Sequence, residues 1–106
     1  GFQLDDGSSL TRLISESGGT ETETELAAAY NLTDDTYVTL GFIATKGTST
    51  DTVQFYYNRQ LVGTHTTNVP TALLTPAMVE VSGDATGTKS MSVDYIMAAV
   101  DRGVTY

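Results

Sequence analysis

The sequence predicts an all-β chain, folded as an antiparallel β-sandwich or jelly roll. Three runs rich in β-branched and aromatic residues carry the prediction: TYVTLGFIA at 36–44, TVQFYY at 52–57 and SMSVDYIM at 90–97. Such residues suit a pleated, half-buried surface, and turn-forming residues separate the runs. No helical pattern longer than one turn, no heptad and no internal repeat competes with them. Seven or eight short strands at this spacing argue for two packed sheets.

Taken in order, Gly1 to Leu4 alternates and then meets Asp5-Asp6-Gly7, a turn signal. Leu10 to Ser15 follows as a strand, so the two are expected to pair as a hairpin, with Gly18-Gly19 ending the segment. Thr20 to Glu25 is wholly polar. Ala27 to Tyr30 is too short to hold a helix alone and suits one helical turn or a loop crossing. Thr33-Asp34-Asp35 is a turn that delivers the chain into the strand at 36–44. There Val38, Leu40, Phe42 and Ala44 share an apolar face that should look into a core, opposite Tyr37, Thr39, Gly41 and Ile43.

A hydrophilic loop, Lys46 to Asp51, leads to the strand at 52–57, with Val53, Phe55 and Tyr57 on one face. Asn58-Arg59-Gln60 then reads as a tight three-residue connection to Leu61–Thr66, the best hairpin in the sequence. Pro70 and Pro76 bracket an irregular stretch, Met78 to Val81 reads as a short strand, and 82–87 as a glycine-rich loop. The last strand, at 90–100, has apolar residues on both faces, as a central strand would. The tail from Asp101 reads as less ordered.

At 106 residues the chain has room for one domain and buries a small core. It has no cysteine, which excludes disulfides, zinc ribbons and thiol chemistry, so packing or association must stabilise it. Thirteen acids against five bases give a net charge of −8. The bases are scattered singly, so neither nucleic acid nor an anionic membrane is an expected partner. No apolar run approaches the roughly 20 residues that cross a bilayer as a helix.

The candidate chemical groups are weak ones. Glu21, Glu23 and Glu25 alternate on one face, with spacing of the kind glycoside hydrolysis uses. Their neighbours Thr22 and Thr24 are not core anchors, and there is no tryptophan for a sugar subsite. The better reading is a solvated edge strand whose like charges discourage association. Asp5-Asp6 and Asp34-Asp35 lack the spaced oxygen run of a calcium loop and stand where turns need them. His65 has no nucleophile-elbow serine near it and is read as a surface or strand-pairing residue. Asn31-Leu32-Thr33 is formally a glycosylation triplet, without weight here. Of the six tyrosines (30, 37, 56, 57, 95 and 106), most should pack, and Tyr56 is the one expected to be exposed. No catalytic residue, metal or cofactor is expected. The candidate contact residues are Tyr56, Asn58 and Arg59.

The run VQFYYNRQLVGT at 53–64, followed by Thr67-Asn68-Val69-Pro70, Leu74-Thr75-Pro76 and Ser92 to Ile96, resembles the C-terminal half of concanavalin A-like (laminin G or L-type lectin-like) jelly-roll domains of tailed-phage structural proteins. Tyr37 to Phe42 matches the strand that precedes this hairpin in the family, and Gly1 to Leu4 a mid-domain strand. Asn58-Arg59-Gln60 stands where Asp-Gly is common there, which weakens the sugar or calcium analogy. Family domains run to about twice this length, so the chain is expected to be an abridged sandwich or the C-terminal part of one; the absent initiator methionine favours the second. The resemblance implies a non-enzymatic virion protein on the capsid surface. It would be a decoration (cement) protein that binds the major capsid protein and self-associates, with a trimer attractive. A carbohydrate-binding module for host attachment is the alternative, and a glycoside hydrolase fragment using Glu21 and Glu23 the third. Fold analogy alone does not fix function.

Overall fold

The computed structural model describes residues 1–4, 10–33, 35–72, 74, 77–79 and 90–100. The chain separates into two compact units, Gly1–Leu73 and Leu74–Tyr106.

Among its described residues the first unit is all-β: two three-stranded antiparallel sheets and one 3-10 turn, Ala28–Tyr30. The first sheet has β1 (Phe2–Leu4), β2 (Thr11–Ser17) and β3 (Thr20–Glu25), in that order. The second has β4 (Leu40–Thr45), β5 (Thr52–Tyr57) and β6 (Gln60–His65), also in chain order. Each sheet is a meander of neighbouring hairpins. The Greek-key crossing that a jelly roll needs is absent among the described strands.

Two-residue turns fix two of the hairpins, β2–β3 and β5–β6. Gly18 and Gly19 both have positive φ, 61° and 78°, between β2 and β3. Asn58 and Arg59 do the same between β5 and β6, at 47° and 69°. Left-handed conformation at both central positions matches the right-handed twist of the strands. The connection after β5 is therefore two residues, not three: Gln60 already opens β6, opposite Tyr57. The register then shifts between Phe55 and Tyr56, because Phe55 faces Gly63 while Tyr56 faces Leu61. Val62 is the extra residue of that bulge.

Alternation along the central strands builds the core. Leu13 on β2 and Phe55 on β5 are fully buried, with Val53 and Leu26 beside them. Phe2, Tyr30, Val62 and Val69 pack around this cluster. The Phe2 ring meets Phe55 edge-on, with centroids 5.7 Å apart. Each such aromatic or leucine side chain contributes about 1.5–3 kcal/mol when fully buried. Leu13 presses onto the backbone at Gly63, where an added Cβ would collide with its Cδ1. Glycine there allows the two sheets to approach.

These contacts set β1 over β5 and β2 over β6. They leave the inward side of β4 largely uncovered. This corrects the expectation for its apolar face. Leu40, Phe42 and Ala44 do line the inward side of β4, yet Leu40 is 37% and Phe42 48% exposed. Phe42 reaches the core at one ring contact, to Phe55 at 6.4 Å. The strand is also shorter than 36–44. Asn58 donates its N–H to the Thr39 carbonyl, and its side-chain Oδ1 accepts from the Thr39 N–H. The partner strand turns away at that point, so no ladder extends to 36–38.

Between the sheets, 26–39 crosses over pinned by polar contacts. The Leu26 N–H bonds the Thr11 carbonyl, the Thr11 hydroxyl bonds the Tyr30 carbonyl, and the Tyr57 hydroxyl bonds the Asn31 carbonyl. The predicted helical turn is there as the 3-10 turn. Asp35 has a positive φ of 55°, in keeping with a turn.

In the second unit, the described residues form no strand, and 90–100 is exposed throughout. The expected central strand at 90–100 is therefore absent, as is strand structure at 77–79. A β-prone run becomes a strand only against a partner edge. The expected features at 5–7, 34, 76, 80–87 and 101–106 lie outside the described residues.

Candidate functional site

Two places in the first unit concentrate unusual side chains: a polar network between the sheets, buried at Ser15 and His65, and the strand β4 with its largely uncovered inward side.

The network is built by alternation. On β2 and β3, the residues facing inward include Ser15, Thr22 and Thr24, while Glu21, Glu23 and Glu25 face outward on the same strand. His65, at the end of β6, is 4% exposed and not a surface residue as its polar, Thr-rich neighbourhood suggests. Its Nδ1 lies 2.9 Å from the Ser15 hydroxyl and its Nε2 2.9 Å from the Thr24 hydroxyl. Phe55 meets the imidazole edge-on at 4.9 Å. Beyond it, the Thr67 carbonyl accepts from both Ser15 (3.2 Å) and Thr22 (3.3 Å). The Thr22 oxygen also takes the Asn68 amide and the Thr67 hydroxyl, each at 2.9 Å.

Counting protons gives one of the two imidazole tautomers that these contacts allow, the one in which Ser15 donates to the Thr67 carbonyl. A hydroxyl donates once and accepts twice. Ser15 donates to the Thr67 carbonyl, so it accepts from His65 Nδ1–H. Nε2 is then the lone-pair nitrogen, and Thr24 donates to it. Burial pushes the imidazole below its ordinary value, which favours this neutral form.

Ser15 and His65 sit at the distance of a nucleophile and its base, but both are buried. Ser15 is 4% exposed, its hydroxyl also reaches the Thr67 carbonyl, and a threonine stands where a triad has a carboxylate. The arrangement ties the edge strand β3 to the chain after β6.

On the outer face, Arg12 lies 3.2 Å from Glu23 and 4.0 Å from Glu25, while Glu16 stands directly opposite Glu21. The three glutamates of β3 are exposed, as an edge of like charges requires. No cluster able to hold a metal ion is present among the described residues. A shallow hollow of about 140 Å³, lined by Ala44, Lys46, Asp51, Val69 and Pro70 among others, is well below the size of a ligand pocket.

The hairpin predicted to make contacts is divided in its roles. Asn58 is committed to the turn through Thr39, Arg59 is exposed, and Tyr56 is half-buried on the outer face of β5, opposite Gly41. The exposed tyrosines among the described residues are Tyr37, at 72%, and Tyr95, at 66%.

The β4 edge stands out against the other sheet edges of the described strands. β1 is three residues long, β3 carries Glu21, Glu23 and Glu25, and β6 is bulged at Val62. Short length, charge and bulges are the ordinary means of blunting an edge. β4 has none of them. Its six residues, LGFIAT, include no charge and no proline, and its far edge pairs with no described strand. Leu40 and Phe42 are exposed on one face and Ile43 (53%) on the other, with Leu61 (47%) two strands away on the same side as Ile43. The signal in the sequence is the uncharged stretch 36–45 with apolar residues on both faces; it reads equally well as a core strand.

Comparison with family models, with curated proteins and with solved structures finds no match for this chain.

Proposed function

We propose that this chain is a non-enzymatic assembly module that docks through the β4 edge. Following the resemblance of its hairpin region, we assign it to the virion surface as a phage decoration protein on the major capsid protein. The observation that carries the docking role is the unblunted edge of β4, with Leu40, Phe42 and Ile43 exposed on its two faces. An open edge offers main-chain hydrogen bonds, and flanking apolar side chains add specificity, as in strand addition. The buried Ser15–His65 pair supports the non-enzymatic reading, because its atoms are spent on holding strands together. A lectin-like role is the weaker reading: Tyr56 is half-buried and Asn58 is tied to Thr39.

The test is co-sedimentation with intact particles. The wild-type protein is expected in stoichiometric copy. Phe42→Asp and Ile43→Lys should each abolish binding while leaving the β-type circular dichroism spectrum unchanged, since both side chains are about half exposed. Recovery of the wild-type protein solely as a free monomer overturns the proposal.

A further inference from the structure

Among the described residues, the inward side of β3 is fastened by hydrogen bonds. Its sequence, TETETE, has no apolar residue, so the strand adds nothing to the core at Leu13, Val53 and Phe55. Thr24 meets His65 Nε2 at 2.9 Å, and Thr22 meets the Thr67 hydroxyl and the Asn68 amide at 2.9 Å each. Ser15 completes the joint from β2, 2.9 Å from His65 Nδ1. His65 is the one titratable side chain in this cluster. We propose that the joint is an acid-operated latch: protonation of His65 releases β3 from β2 and from the chain after β6, while the apolar core stays folded.

The geometry makes one proton sufficient. A neutral imidazole has one N–H and one lone pair. In either tautomer, therefore, one of the two hydroxyls, Ser15 or Thr24, donates into the ring. An imidazolium has an N–H on both nitrogens, and that hydroxyl must turn its hydrogen away. The added charge also lacks a counterion. β2 brings Ser15 to the ring, β3 brings Thr24 and β5 brings Phe55, with Val53 as the cross-strand neighbour, and none of them is charged. Arg12, Glu16, Glu21, Glu23 and Glu25 lie on the outward face of the first sheet. The amino group of Gly1 repels a charge on the ring. A buried charge without a partner is costly, and the cost is relieved when β3 lifts and water reaches the imidazole. Burial, with that repulsion, holds His65 below its ordinary value of 6.5 in the closed form. The open form therefore takes the proton first, and opening is favoured as pH falls through that value.

The release is local for a physical reason. All residues of β3 except Thr22 are exposed, and strands with few buried apolar contacts lie at the low-stability end of a fold. Leu26, which follows β3 and is buried, marks where the release ends. Opening bares the edge of β2 from Arg12 to Ser17 that β3 covers. None of this involves β4, so it stands apart from the docking role.

The test is amide hydrogen exchange on the full chain at about pH 7 and about pH 5, corrected for the intrinsic exchange rate at each pH. Protection of 20–24 is expected to fall by about tenfold, while that of 53–57 holds. His65→Gln keeps a donor and an acceptor but cannot take the proton, so its protection at 20–24 should be the same at both pH values. Thr24→Val is the second variant. At neutral pH it should already show the reduced protection of the acid form at 20–24, with 53–57 unchanged. Unchanged protection of 20–24 in the wild type in acid, or in Thr24→Val at neutral pH, would overturn the proposal. So would loss at 20–24 and 53–57 together, which is global unfolding. An acid response that persists in His65→Gln would assign the effect to the Gly1 amino group or to the glutamates, and would overturn it as well.

Discussion

His65 is the residue on which the interior of the first unit turns. It joins β6 to both β2 and β3 through two hydroxyls, and its ring completes the apolar wall at Phe55. Removing one of its partners leaves buried polar atoms unmatched, which costs more than the bond itself contributes. Ser15→Ala should therefore destabilise the protein by about 1–3 kcal/mol, lowering the melting temperature by several degrees. A urea titration followed by tyrosine fluorescence measures this. The sign of the pH effect follows from the neutral imidazole. Burial holds His65 below its unfolded value of about 6.5, so the unfolded chain takes up the proton first as pH falls. The stability it contributes is complete above about pH 6.5, declines as pH drops towards the lower folded value, and levels off beneath it. The groups in contact with the ring, Ser15, Thr24 and Phe55, carry no charge to offset this. Melting temperatures between about pH 7 and pH 5 should fall for the wild type and fall less for His65→Gln.

At the scale of elements, the hairpins divide into one with an ideal turn and one with a compromise. Gly18-Gly19 meets the left-handed requirement without strain, whereas Asn58-Arg59 places an arginine at a φ of 69°. That conformation costs a side-chain-bearing residue about 1–2 kcal/mol. Arg59→Gly should raise the unfolding free energy by about 1 kcal/mol in chemical denaturation, the favourable change in turn strain outweighing glycine's extra freedom when unfolded. β5 and β6 were legible in the sequence because alternation and turn chemistry agreed there. β3 was legible as a solvated edge because its charges sit at every second residue. The start of β4 was not, since its length is set by where Asn58 turns its neighbour away. The segment 90–100 misled for a related reason: propensity describes a residue's fit to a sheet, and supplies no neighbour. The burial of His65 was hidden because its partners Ser15 and Thr24 lie 50 and 41 positions away, among hydroxyls too common to single out.

For the molecule as a whole, charge and apolar surface oppose each other. A net charge of −8 on 106 residues repels further copies at long range, while the exposed Leu40, Phe42 and Ile43 gain from any contact that removes them from water. Salt shortens the reach of the repulsion to about 8–10 Å near physiological ionic strength and leaves apolar contacts intact. Self-association should accordingly strengthen as sodium chloride rises from about 10 mM to 150 mM, measured by sedimentation equilibrium. An interaction driven by ion pairs would weaken over the same range.

The hydroxyl-and-imidazole lattice also acts as a spelling check on β3. A slip of one position against β2 would swing Glu21, Glu23 and Glu25 into the space between the sheets and turn Thr22 and Thr24 away from Thr67 and His65. Carboxylates so placed would face a buried ring and a carbonyl already fully occupied. Misaligned pairings are thereby rejected during folding, and a strand with no greasy residue of its own still finds a single alignment.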